Sequence, residues 1–97
     1  MLERDYQARL IKKLERLFPG CVILKNDPEY RQGIPDLLIL HRARWAMLEV
    51  KASATSAVRP NQEYYVDLLN KMSFAAFIHP SNEEDVLREL HQALQGV

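Results

Sequence analysis

Gly33-Ile34-Pro35-Asp36-Leu37-Leu38-Ile39-Leu40-His41-Arg42-Ala43-Arg44-Trp45-Ala46-Met47-Leu48-Glu49-Val50-Lys51 contains two apolar runs of strand length, residues 37–40 and 45–50, around a short basic link. The brevity of Arg42-Ala43-Arg44 predicts a tight connection between two strands. The charges stand out at the ends: Asp36 opens the first run, and Glu49 and Lys51 close the second. Strand side chains alternate, so Glu49 and Lys51 share one face while Leu48 and Val50 share the other. If the runs pair as a hairpin, the start of the first lies beside the end of the second. Asp36 is then expected next to Glu49 and Lys51.

Two carboxylates and an ammonium at one sheet end suit metal-dependent phosphodiester hydrolysis. The carboxylates offer an oxygen site to a hard cation such as Mg2+, which keeps several waters and accepts phosphate oxygens. Such a cation lowers the pKa of a bound water and offsets charge building on the phosphate. Lys51 would orient or help deprotonate the attacking water, or stabilise that charge. The plainer alternative is a surface hairpin whose ends carry solvated charges, with Glu49 and Lys51 as a same-face ion pair.

At 97 residues the chain is expected to form one domain, residues 1–97, near the small end for a self-sufficient core. A hydrophobic content of 47% argues against disorder. No apolar run approaches the ~20 residues of a membrane span, and the start lacks a signal-peptide pattern, so a cytoplasmic protein is expected. The lone cysteine, Cys21, excludes an internal disulfide and cannot build a zinc site alone; at the head of an apolar run it is expected to be a buried thiol. The net charge is zero but uneven. Residues 1–60 carry eleven Lys/Arg against seven Asp/Glu, and residues 61–97 carry two against six. A one-sided basic surface is enough to follow a phosphate backbone.

Outward from the hairpin, residues 2–18 read as an amphipathic helix: Leu2, Tyr6, Leu10, Leu14 and Leu17 recur at three- and four-residue spacing. Arg4, Arg9, Lys12, Lys13 and Arg16 make its outer face basic, and Pro19-Gly20 ends it. Glu3 sits at the edge of the inward stripe, or simply favours the positive helix N-terminus. Residues 21–24 resemble a buried strand, and residues 26–33 a loop of turn formers and charges. Tyr30, Arg31 and Gln32 in that loop are solvated residues or substrate contacts.

Past Lys51, the small residues 52–57 are expected to be mobile. Pro60 suits the first turn of a helix over about 60–72, with Gln62, Tyr65, Val66, Leu69 and Met72 on one stripe. Gln62 leads that stripe, either as an exposed first-turn residue or as a ligand to a metal-bound water or phosphate. Residues 74–78 read as another strand. Ser81 with Glu84 has the capping-box spacing before a last helix buried through Val86, Leu87, Leu90 and Leu94. Among the histidines, His91 reads as solvated, and His41 and His79, ending strands, are weak phosphate candidates.

The element order, helix-strand-strand-strand-helix-strand-helix, together with Pro35-Asp36 and Glu49-Val50-Lys51, resembles the PD-(D/E)XK nuclease superfamily. Within it, the chain is most similar to the VRR-NUC group, the virus-type replication-repair nucleases. Gly33-Ile34-Pro35-Asp36 matches that group's Gly-x-Pro-Asp motif, Glu49-Val50-Lys51 its Glu-x-Lys motif, and Gln62 the glutamine that starts the following helix. The likeness spans nearly the whole chain.

The resemblance implies an α/β restriction-endonuclease-like core, a mixed sheet flanked by helices in the order α-β-β-β-α-β-α. It implies a DNA endonuclease dependent on Mg2+ or Mn2+. Asp36, Glu49 and the Val50 backbone carbonyl would hold the metal, Lys51 would position or activate water, and Gln62, with Glu3, would complete the shell. Arg31, Arg42, Arg44 and Arg59 are candidates for phosphate contacts. Without an appended DNA-reading domain in the sequence, junctions, flaps or nicks are the expected substrates, in replication, recombination or repair. Stand-alone members are similar to Holliday junction resolvases, so a homodimer is expected, with Tyr64 or Trp45 free for its interface; no membrane and no small-molecule cofactor are. A viral chain of this kind would act in the host cytoplasm. Two alternatives stay open: a nucleic-acid-binding or assembly module with little turnover, and a nuclease acting on RNA or single strands.

Overall fold

A computed structural model describes residues 1–95 and has the element order α1 (Glu3–Leu17), β1 (Val22–Lys25), β2 (Leu37–His41), β3 (Arg44–Val50), α2 (Pro60–Met72), β4 (Phe74–Ile78) and α3 (Glu83–Gln95). The four strands form one mixed sheet in the order β1-β2-β3-β4. The first three are antiparallel neighbours, and β4 joins β3 in parallel. That parallel pairing needs a crossover, and α2 supplies it.

The hairpin closes as its short link demands. His41 pairs with Arg44 across a two-residue turn, and Arg42 takes a left-handed φ of 58°. Leu37 pairs with Leu48, which sets Asp36 beside the end of β3. One face of the sheet carries Leu37, Ile39, Ala46, Leu48, Val50 and Ile78. These pack against Tyr6, Leu10 and Leu14 of α1, against Phe18, and against Val86, Leu87, Leu90 and Leu94 of α3, in one hydrophobic cluster. Acidic residues in the first turns of α1 and α3 complement the positive helix ends. On the other face α2 covers β3 and β4, while the β1–β2 half lies open.

Several expectations change. β1 is an edge strand instead of a buried one: Val22 is 51% and Leu24 47% exposed, because none of the described helices lies over them. Cys21, at the margin of the core cluster, is only half-buried. Met72 sits on α2's exposed side. The capping box at Ser81 does not form: α3 starts at Glu83, Val86 N–H donates to Asn82 O at 3.0 Å, and the Ser81 hydroxyl pairs with His79 Nδ1 at 2.8 Å. His41 is buried at 4% exposure, with Phe18 edge-on at a 5.5 Å ring separation, which removes it as a phosphate contact. Among the described residues no helix is long and apolar enough to cross a membrane.

Candidate active site

The hairpin's open end, the loop before it and the start of α2 converge on one place. Asp36 Oδ2 accepts a 2.8 Å hydrogen bond from Val50 N–H, so the carboxylate extends the ladder one step past the last backbone pair. In a strand, a residue's N–H and C=O leave on the same edge, so the Val50 carbonyl also faces Asp36. Glu49, one residue back and on the opposite face, is buried at 4% exposure. Its Oε2 accepts from Gln62 Nε2 at 3.1 Å and lies 3.8 Å from Lys51 Nζ.

Lys51 is buried too, at 8% exposure. Its Nζ donates to Gln62 Oε1 and to the Ala57 carbonyl, both at 2.9 Å. Gln62 Oε1 also accepts from Arg59 N–H at 3.0 Å, half of a capping box, since Gln62 is the third residue of α2. One glutamine thereby closes its own helix and ties both Lys51 and Glu49 in place. The loop is pinned as firmly. Asn26 N–H donates to the Asp36 carbonyl at 2.9 Å and Asn26 Nδ2 to the Pro35 carbonyl at 2.8 Å. Gly33, at φ +90°, presses so closely on Asn61 that a Cβ there would meet its atoms at 2.8 Å. Gly33, Asp36, Glu49, Asn61 and Gln62 wall a recess of about 290 Å³ open to solvent, which Glu29, Gln32 and Arg59 also line.

Burial pushes the Glu49 carboxyl up to about 8, and the Asp36 charge adds to the shift against the opposing pull of Lys51. Burial also raises Asp36, although the Val50 hydrogen bond and Lys51 oppose it. Two acids that resist ionisation beside each other are what a divalent cation would relieve. Among the described residues no third acid, histidine or cysteine completes a ligand set with them. A hard cation here would therefore fill its shell with the Val50 carbonyl and water, as Mg2+ commonly does.

The remaining candidates divide. Glu3, exposed at the start of α1, acts on Glu49 through its charge and so flanks the site, but it makes no hydrogen bond to it. Arg59 lines the recess, and Arg31 reaches along α2 to the Tyr65 hydroxyl at 3.1 Å. Arg42 and Arg44 are not brought to the site. They lie at the closed end of the hairpin, roughly 17 Å along β3 from Glu49 at ~3.3 Å per residue, and Arg42 bonds Gln95 there. Sequence reasoning passed over Asn26, Ala57 and Asn61. The first and last look like ordinary turn and helix-start residues, and the Ala57 backbone carbonyl leaves no trace in side-chain chemistry. No protein-family model matches this chain, and neither does any curated protein or solved structure.

Proposed function

We propose that the chain is a metal-dependent DNA endonuclease of the VRR-NUC type, its mixed sheet being the restriction-endonuclease-like core of the PD-(D/E)XK superfamily. One observation carries the reading: Asp36 and Glu49 line a single recess, both with raised pKa values, while Lys51 and Gln62 are bonded into the same cluster. A solvated hairpin end would leave these charges in water, whereas Glu49 and Lys51 are buried.

When bound between Asp36, Glu49 and the Val50 carbonyl, Mg2+ or Mn2+ supplies a water of lowered pKa and polarises the phosphate. Val50 N–H fixes the aim of Asp36. Lys51 stands beside Glu49 with its ammonium held by two acceptors, placed to orient the attacking water or to stabilise charge on the phosphate. Gln62 is a positioning residue for both, and Glu3 joins the outer shell. Arg59 and Arg31 take the flanking phosphates. The preferred substrates are junctions, flaps or nicks in the replication, recombination or repair of DNA, in the cytoplasm.

The test is a panel of linear duplex, single strand, flap, nicked duplex, four-way junction and RNA, incubated with Mg2+, with Mn2+ and with EDTA. Cleavage is expected with either metal, fastest on branched DNA, and absent in EDTA. No cutting of any substrate with either metal would overturn the reading in favour of a binding module. Cutting of RNA alone would reassign the substrate.

The open sheet face supports a two-fold homodimer. The register aligns Val22, Leu40 and Trp45 in one cross-strand row and Leu24, Leu38 and Met47 in the next, giving a contiguous apolar surface. Light scattering is expected to give twice the 11.3 kDa chain mass at micromolar concentration. Leu40→Glu, which sets a charge in the middle of the patch without entering the core, is expected to give the monomer mass. A monomeric wild type would refute the dimer.

A further inference from the structure

A second concavity, of about 380 Å³, lies between α1 and the start of α3. Arg9, Lys12, Lys13 and Arg16 line it, and Glu83 is its one acid. That acid is already engaged: Lys13 Nζ donates to Glu83 Oε2 and the Tyr6 hydroxyl to Glu83 Oε1, each at 2.7 Å. Arg9, Lys12 and Arg16 have no ion-pair partner among the described residues. Three uncompensated cations thus face one hollow, which distinguishes them from charges spread over a solvated helix. The core does not need them, because Leu10 and Leu14 of the same helix make its packing contacts.

The Tyr6–Glu83 end of the hollow lies toward the end of the sheet that carries Glu49 and Lys51. Tyr6 is one turn from Glu3, whose charge is felt at Glu49. Glu83 follows β4, whose last carbonyl, Ile78 O, accepts from Lys51 N–H at 2.9 Å. At ~1.5 Å per helical residue, Arg9, Lys12 and Arg16 stand roughly 9, 14 and 20 Å from Glu3 along α1. Phosphates of one duplex strand recur every ~3.4 Å of axis, so for a duplex lying along α1 these side chains are spaced to meet several successive phosphates. The hollow has no stacking platform, since its one aromatic, Tyr6, is bonded to Glu83. Contacts to the sugar–phosphate backbone, without base readout, are what it can make.

We propose that this hollow is a backbone-binding site for duplex DNA, holding the duplex to one side of the phosphate that is cut. The placement rests on reading Asp36 and Glu49 as the cleavage centre, but binding here needs no metal. The test is binding of a 30-base-pair duplex in EDTA at several salt concentrations, followed by fluorescence anisotropy. For R9Q/K12Q/R16Q, the slope of log K against log salt is expected to be shallower than wild type by about 2 to 3, at ~0.9 per phosphate lost. R9K/K12R/R16K is expected to keep the wild-type slope. Should the triple variant fail to fold, Lys12→Gln alone, at an exposed position, is expected to lower the slope by about 1.

An unchanged slope in a folded charge-removing variant would overturn the proposal. So would displacement of the duplex by inorganic phosphate beyond that caused by chloride at equal ionic strength, which would mark a small-anion site. A wild type that binds with this salt dependence but cuts nothing would sink the cleavage reading and leave the hollow standing. A wild type that cuts while the triple variant keeps its slope would sink the hollow alone.

Discussion

Glu49→Gln is expected to lower cleavage by roughly a thousandfold or more while leaving the fold in place. The substitution keeps the side chain's shape and an oxygen that can accept the bond Gln62 Nε2 now gives to Glu49. What it removes is the one buried carboxylate of the recess, where Asp36 is half-buried and Glu29 is exposed. Asp36 would then remain beside the Val50 carbonyl without its buried partner, too little to hold a divalent cation firmly. Lewis-acid stabilisation is worth several kcal/mol, and each ~1.4 kcal/mol is tenfold in rate. The same variant should be more stable than wild type in metal-free buffer at pH 8 and above. With its folded-state pKa raised to about 8 from an ordinary 4.5, Glu49 keeps a proton in the folded protein that the unfolded chain has already released. Between those values the folded state binds more protons, so wild-type stability falls as pH rises and the loss is complete above about 8. Thermal unfolding in EDTA from pH 4.5 to 9 is expected to show a declining wild-type Tm and a flatter curve for Glu49→Gln. One kcal/mol corresponds to about 4–8 °C in a domain of this size. Divalent metal should recover more of the wild-type Tm at high pH than at low. Full cleavage by Glu49→Gln would remove Glu49 from the mechanism.

The parts of this site written in period-two alternation are legible in the sequence. Glu49 and Lys51 had to share a face, and a link of this length had to return β3 beside β2, so Asp36 had to meet them. α2 was equally readable from Pro60 and its stripe. Sheet coverage was not, because alternation says which residues share a face but not which half of that face a helix will cover. The apolar residues of β1 therefore looked buried although α2 lies over β3 and β4 instead. The capping of α3 failed for a related reason. Ser81 and Glu84 have the right spacing, but Asn82 bonds both the His79 N–H and the Phe77 carbonyl, and this tight turn out of β4 moves the helix start on by a residue. The arginines of the hairpin turn follow the same logic. Arg42 and Arg44 are near Asp36 and Glu49 in sequence, yet a hairpin separates its turn from its open end by the whole strand length.

Gly33→Ala is expected to cost about 2–4 kcal/mol, a drop of roughly 10–25 °C in Tm, and most of the cleavage activity with it. Two separate penalties add. At φ +90° an L-residue with a Cβ is strained, which alone costs about 1 kcal/mol. The new methyl would also stand 2.8 Å from Asn61 C, Cβ and Cγ, and the first of these is backbone that no rotamer change can withdraw. Relief requires the loop and the start of α2 to part. Gln62 follows Asn61, so the parting would draw its amide from Lys51 and Glu49 and open the cluster that aims them. Gly20 provides the control. Its φ is +87°, but nothing lies within 4 Å of its would-be Cβ, so Gly20→Ala carries the backbone term without the collision and should leave cleavage intact. Equal loss of Tm in the two variants would mean that the packing of Gly33 against Asn61 contributes nothing. A Gly33→Ala protein with lowered Tm but wild-type cleavage would mean that the contact holds the fold without holding Gln62.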